Sequence, residues 1–185
     1  VLRLGSSGGA STITQQLAKN LFHYDNGHRP NVVVRLAQKL KEWVIAVRLE
    51  RRYTKEEIAT MYLNTVQFSG SSYGVKSAAK EFFNKEPKDL KVEECAVLVG
   101  MLKAISAYNP KRNPNNSMNR RNVVIGQMIR NWDKLRNKDL SKEDLEKLKT
   151  QAIVLDYQYE DHNDGPAVYF REWLKKDLMK WCKEH

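Results

Sequence analysis

Gly8-Gly9-Ala10-Ser11-Thr12-Ile13-Thr14-Gln15-Gln16-Leu17-Ala18-Lys19-Asn20-Leu21 is the stretch from which the rest of the chain is read. Two glycines lead into a cluster of hydroxyls, and the hydroxyls lead into a helix, since Ser and Thr are good N-caps. A helix is expected over 11–22. On it Thr12, Gln16 and Lys19 stand at i, i+4 and i+7 and share one face. That face offers a hydroxyl, an amide and a cation, which suits an anionic, hydroxyl-rich ligand such as a sugar phosphate. On spacing alone, an ordinary capped helix with a solvated face is the better account.

Helix signals continue along the chain and no run of alternating strand residues interrupts them, so the fold class is all-α. A long helix is expected over 33–52, where Leu36, Leu40, Val44, Val47 and Leu49 fall close to the 3.6-residue period. Thr54 and Glu57 form a capping box for the next helix. Residues 64–74 read as a Gly- and Ser-rich loop, and a helix follows over 76–84. Residues 92–105 form the most apolar helix and are expected to supply the core. Further helices are expected over 116–135 and from the Ser141 cap to 151. A last helix follows Gly165-Pro166, with Phe170, Trp173, Leu174, Leu178 and Trp181 in one stripe. Such a stripe is core or a docking face.

The 185 residues suit one domain with a real core. Apolar residues make up 41% and charged residues 29%, which excludes disorder. Thirty-two Lys and Arg against 22 Asp and Glu leave a net charge of +10. A basic balance implies an anionic partner: nucleic acid, an acidic membrane surface or a phosphorylated substrate. The basic residues are interleaved with acids and no nucleic-acid motif occurs, which argues against the first. His23, His28, His162 and His185 are scattered, so no structural zinc is expected. Cys95 and Cys182 show neither metal nor disulfide spacing, and Cys95, inside an apolar run, reads as a small core residue. There is no phosphate-cradling Gly-rich loop and no dinucleotide fingerprint. No run approaches the length of a membrane span. The chain opens on Val1 without a Met and reads as part of something longer.

The opening stretch resembles the second motif of the bacterial peptidoglycan glycosyltransferases, the domains found in class A penicillin-binding proteins and in the monofunctional wall polymerases. It departs by one residue, Ala10, between the glycines and the serine. Gln38-Lys39-Leu40-Lys41-Glu42 resembles their third motif, Arg-Lys-x-x-Glu. Spacing alone would make Lys39 and Glu42, at i and i+3, a surface ion pair worth a few tenths of a kcal/mol. Gln38 stands where the family usually has Arg, and Arg35, one turn earlier, offers the missing charge. Lys55 to Asn64, with Phe68 and Tyr73-Gly74-Val75, resembles the fourth motif, which holds the lobe together. Ala107-Tyr108-Asn109-Pro110, Arg120-Arg121-Asn122 and Met128 resemble the fifth. The four occur in order across 8–128. The first motif, Glu-Asp-x-x-Phe-x-x-His-x-Gly, does not occur in the sequence.

The resemblance implies a lysozyme-like glycosyltransferase lobe over 1–137, with 138–185 as a helical extension of the same domain or a lead into a downstream one. It implies polymerisation of lipid II into glycan strands by inverting transfer, with undecaprenyl pyrophosphate leaving. Glu42 would be a catalytic carboxylate, Lys19 and Lys39 would neutralise the pyrophosphate, and Thr12, Gln16 and Asn20 would hydrogen-bond phosphates and sugars. A divalent cation, magnesium or manganese, would assist. The principal catalytic Glu belongs to the first motif, so the chain as given is expected to bind but to turn over poorly. Implied partners are lipid II, the growing strand, moenomycin-type inhibitors, the membrane surface and a downstream transpeptidase domain, at the outer (periplasmic) face of the cytoplasmic membrane. Readings from other classes are a lipid II-binding module without catalysis, a lysozyme-like hydrolase and a nucleic-acid-binding helical domain.

Overall fold

Capping residues set where the helices begin. The computed structural model describes residues 11–22, 31–70, 72–134, 140–158 and 168–184. Eight α-helices lie among them: α1 (Ile13–Phe22), α2 (Val32–Arg52), α3 (Lys55–Thr65), α4 (Gly74–Phe83), α5 (Val92–Met101), α6 (Pro114–Arg130), α7 (Lys142–Leu148) and α8 (Val168–Glu184). Thr54 caps α3 through the Glu57 N–H, and the Glu57 carboxylate accepts from the Thr54 N–H at 2.8 Å. Ser141 and Asp144 repeat this box at α7. Pro114 opens α6, where its missing N–H costs nothing. Asn84 ends α4 in the left-handed region, at φ 52°. The fold is all-α: the one β-type pairing among the described residues is an isolated bridge between Gln67 and Tyr73.

Helix α1 packs against both α2 and α3, α3 against α4, α4 against α5, and α5 against α6. The main core gathers Leu17 of α1, Ile58 and Tyr62 of α3, Phe68, Phe82 of α4, and Val97 and Met101 of α5. Each fully buried Leu or Phe of this kind contributes about 2 kcal/mol. A smaller cluster joins Ala96, Ile125 and Leu145, and so ties α5, α6 and α7 together.

Helix α5 is shorter than its apolar run. After Met101 the bonds tighten to i→i+3 turns, with Leu102 N–H donating to Val99 and Ala104 N–H to Met101. Cys95 corrects the expectation of a core residue: it is exposed, because Ala96, Val97 and Leu98 take the inner face and Cys95 shares the outer one with Val99. Residues 151–158 are not helical. They run extended along α4, where Asp156 N–H donates to the Phe82 carbonyl at 3.2 Å and Gln158 N–H to the Glu81 carbonyl at 2.8 Å. The buried Glu81 carboxylate accepts from the hydroxyls of Ser69, Ser72 and Tyr157. The stripe on α8 is not core: Phe170, Trp173, Leu178 and Trp181 are all exposed.

Gly74 has φ +81°, and a Cβ there would sit 2.6 Å from the Asn64 carbonyl oxygen. Both strain and space therefore demand glycine where α4 leaves the end of α3. Gly74→Ala is expected to cost about 2–3 kcal/mol of stability in denaturant unfolding. A change of under about 0.5 kcal/mol would show that this junction relaxes freely.

Candidate active site

The predicted residues lie on two helices that pack against each other. Helix α1 carries Thr12 at its edge and Gln16, Lys19 and Asn20 along its length, and α2, packed against it, carries Lys39 and Glu42. Gly8, Gly9 and Ala10 lie outside the described residues.

Thr12 has a local task. Its hydroxyl accepts from the Gln15 N–H at 3.3 Å, and the Gln15 side-chain oxygen accepts from the Thr12 N–H at 3.3 Å. This is a reciprocal cap on α1. The Thr12 O–H proton is left free to donate outward. Lys19 and Asn20 are exposed and engage no described residue.

Gln16 is held at both ends of its amide. Its nitrogen donates to the Ser11 carbonyl at 3.4 Å, and its oxygen accepts from the Tyr62 hydroxyl at 3.1 Å. With the oxygen occupied, the group faces a ligand as a donor. The second amide proton suits a phosphate oxygen. Tyr62 is buried, and burial raises its hydroxyl above the ordinary 10.0, which keeps it a donor. The sequence reading assigned Tyr62 to the scaffold. Its direct hold on Gln16 crosses 46 residues of chain and had no local signal beyond membership of the fourth motif.

Glu42 is the least expected feature. Its side chain is 4% exposed, while Lys39, one turn earlier, is 52% exposed and places Nζ 2.5 Å from Oε2. This is not a surface ion pair. The buried carboxylate fixes the base of a lysine whose ammonium reaches the surface. An arriving anion meets the cation first, and the Lys39 protons not used by Glu42 remain available to it. Gln38 is half-buried and Arg35, one turn earlier, is exposed.

The fifth-motif residues serve the scaffold. Arg121 is fully buried, its Nε and Nη2 donate to Asn122 Oδ1, and Nη2 and Asn122 Nδ2 both donate to the Lys149 carbonyl, at 3.1 and 3.0 Å. Burial lowers this guanidinium's pKa and Glu93 opposes the shift. Helix α6 thereby holds the C-terminal end of α7.

Among the described residues no group of three His, Cys, Asp or Glu side chains could hold a metal ion by itself, and Glu42, the carboxylate the resemblance places at the site, is paired with Lys39.

Residues 1–129 match the Transglycosylase family. The chain belongs to the transglycosylase family. Among its relatives is penicillin-binding protein 1A of Escherichia coli K12, 36% identical over 173 residues, or 94% of this chain and 19% of that protein. Penicillin-binding protein 1A/1B of Bacillus subtilis is 35% identical over 177 residues, 94% of this chain and 18% of that protein. Penicillin-binding protein 2a of Streptococcus pneumoniae is 34% identical over 170 residues, 89% and 22%. The chain thus spans about a fifth of the length of these relatives. The crystal structure of penicillin-binding protein 1A from Haemophilus influenzae covers 71% of this chain and 18% of its own, at 30% identity and a TM-score of 0.49.

Tyr62 supports one prediction of two parts. Its pKa in the folded chain lies above the ordinary 10.0, so its stabilising contribution is present below pH 10 and is lost as pH rises through the folded value. Tyr62→Phe should abolish that alkaline loss and cost about 1 kcal/mol at neutral pH, because Gln16 loses its donor. Unfolding curves from neutral to alkaline pH check both; an unchanged alkaline limb would sink the assignment.

Proposed function

We propose that this lobe polymerises lipid II into peptidoglycan glycan strands at the outer face of the cytoplasmic membrane. The observation that carries the proposal is the buried Glu42 holding the half-exposed Lys39, on a helix packed beside Gln16 and Lys19, in a chain of the transglycosylase family. In this reading the 4-hydroxyl of the acceptor lipid II attacks the anomeric carbon of the growing strand. The bond from that carbon to the pyrophosphate oxygen breaks, undecaprenyl pyrophosphate departs with the electron pair, and the configuration inverts. The hydroxyl proton passes to a general base, the role the resemblance gives to the first-motif Glu.

The residues of α1 and α2 account for the leaving-group side. Lys39 and Lys19 meet the charge that grows on the pyrophosphate as compact cations, Lys39 from the place where Glu42 holds it. Glu42 keeps Lys39 in register and stops it folding back onto solvent. Gln16 and Asn20 donate to phosphate and sugar oxygens. A chain without the base would retain binding and lose turnover, and moenomycin-type phosphoglycolipids would still occupy it. A lysozyme-like chain path and a downstream transpeptidase domain belong to the same reading.

Glu42→Gln in the complete protein should lower glycan-strand synthesis by at least about a hundredfold, since the neutral amide no longer anchors Lys39. Measured with lipid II and separated by chain length, near-normal synthesis would overturn the role of Glu42. The same assay on this chain, run beside a lipid II binding titration, separates turnover from binding alone. Lys19→Ala should weaken moenomycin affinity by about tenfold, the loss of one charge-assisted contact, in calorimetry or fluorescence titration. Unchanged affinity would return Lys19 to a solvated helix face.

A further inference from the structure

A small pocket lies where the end of α4, the first turns of α5, the middle of α6 and the extended 151–158 segment meet. Among the described residues none of α1 or α2 lines it. Its volume is about 130 Å³. A cavity of roughly 150 Å³ holds benzene, so this one has room for about six heavy atoms. Phe83, Val97, Ile153 and Val154 give it apolar walls. Its polar wall is out of balance. Arg121, which lines it, is fully buried, and Asn122 and the Lys149 carbonyl take its Nε and Nη2. Nη1 is buried and has no acceptor. A buried charged donor left open is costly, and one that persists calls for a partner. Glu93, in the first turn of α5, lines the same pocket and lies close enough to act on the Arg121 charge. It is half-buried, yet among the described residues its carboxylate has neither a hydrogen bond nor an ion pair. Its neighbour Glu94 is satisfied, by Lys85 Nζ at 2.7 Å and the Lys91 N–H at 2.8 Å. The pocket thus presents one open donor and one open acceptor that do not bond to each other.

We propose that this pocket binds a small α-amino acid, its carboxylate on Arg121 Nη1 and its ammonium on Glu93. A zwitterion carries its two charges on neighbouring atoms of one small skeleton, which suits a donor and an acceptor that share a pocket without touching. A plain anion satisfies the guanidinium but meets the Glu93 charge, and a plain cation leaves Nη1 open. A short apolar side chain finds Val97 and Ile153 beside it. Gln151 and Ala152 are exposed and stand at the mouth. Arg121 has no exposed surface, so the ligand reaches Nη1 by displacing the Gln151 side chain, which makes no hydrogen bond to a described residue. Once bound, it joins α5 to α6 and to the 151–158 segment, the junction that the Arg121 and Asn122 bonds to the Lys149 carbonyl already hold. A ligand that binds only the folded chain raises its stability. The site is independent of the polymerase reading, since it uses none of the residues of α1 and α2.

The test uses this chain and alanine, with propionate and ethylamine as analogues that each lack one of its charged groups. Alanine should raise the melting temperature saturably and bind in calorimetry, and each analogue should bind at least about tenfold more weakly. Glu93→Gln removes a carboxylate that has no partner to lose. It should keep its fold by circular dichroism and bind alanine about tenfold more weakly, while its response to propionate does not fall. Ala152→Trp changes an exposed side chain at the mouth and should abolish the response by filling the pocket. Arg121 is left in place because it also holds the end of α7. Three results would overturn the proposal. One is no saturable response to alanine, the behaviour of a pocket that holds only water. Another is propionate binding as tightly as alanine, which would make this a simple anion site. The third is alanine binding that neither Glu93→Gln nor Ala152→Trp changes, which would put the ligand elsewhere.

Discussion

Leu17 and Ala18 have no exposed surface on α1, which packs on α2 and α3, and Leu17 joins Ile58 and Tyr62 of α3 in the main core. The functional arrangement depends on that wedge. Seating Leu17 in the core turns the opposite side of α1 outward, and that side carries Lys19. Seating α1 on α3 brings Gln16 under the Tyr62 hydroxyl. Seating α1 on α2 covers the Gln38, Glu42 and Ala46 side of α2. A polar helix–helix contact is tolerated because its one buried charge, Glu42, has an ammonium against it. The cost of desolvating Glu42 is offset only while Lys39 stays in place, so the constraint that buries the carboxylate also orders the cation.

The helices and their starts were legible because local chemistry decides them. Thr54 with Glu57, Ser141 with Asp144, and Pro114 at the start of α6 each act within four residues. The Lys39–Glu42 pair was legible as a pair for the same reason. Its burial was not. Spacing i, i+3 places two side chains on one face but leaves open which face turns inward. The apolar period of α2 points to Leu36, Leu40, Val44 and Val47, and those are the exposed residues; only Leu49 of that set is half-buried. Tertiary packing overrode the period here. The core contact goes to a face whose residues gain more from α1 and α3 than the apolar stripe does from any described neighbour.

Long-range features were illegible for a plainer reason. The Tyr62–Gln16 bond, the Glu81 carboxylate gathering Tyr157, and Arg121 holding the Lys149 carbonyl span 46, 76 and 28 residues. No periodicity carries such information. The buried Glu81 is instructive, because a carboxylate in the middle of Ala78, Ala79, Phe82 and Phe83 looks like a break in the apolar pattern. It is satisfied by three hydroxyls supplied from two other segments. Residues 151–158 earn no helix signal and show no strand partner, yet they close the same core through Ile153, Leu155 and Tyr157. Their edge is paired to the α4 carbonyls rather than to a strand, which is why they read as loop.

The two surfaces of α2 raise a physical question that its sequence answers. A site for a pyrophosphate on a lipid needs fixed cations where the phosphates are and apolar surface where the chains are, within a few ångströms of each other. A helix buried by its apolar side would turn all its charges outward and leave no apolar surface beside them. A helix buried by a polar side that is neutralised internally, as Lys39 neutralises Glu42, keeps its apolar stripe outside and next to its cations. The inverted amphipathicity of α2 thus follows from its inward partners: the buried side takes Glu42 with the lysine that neutralises it, and Leu36, Leu40, Val44 and Val47 stay exposed.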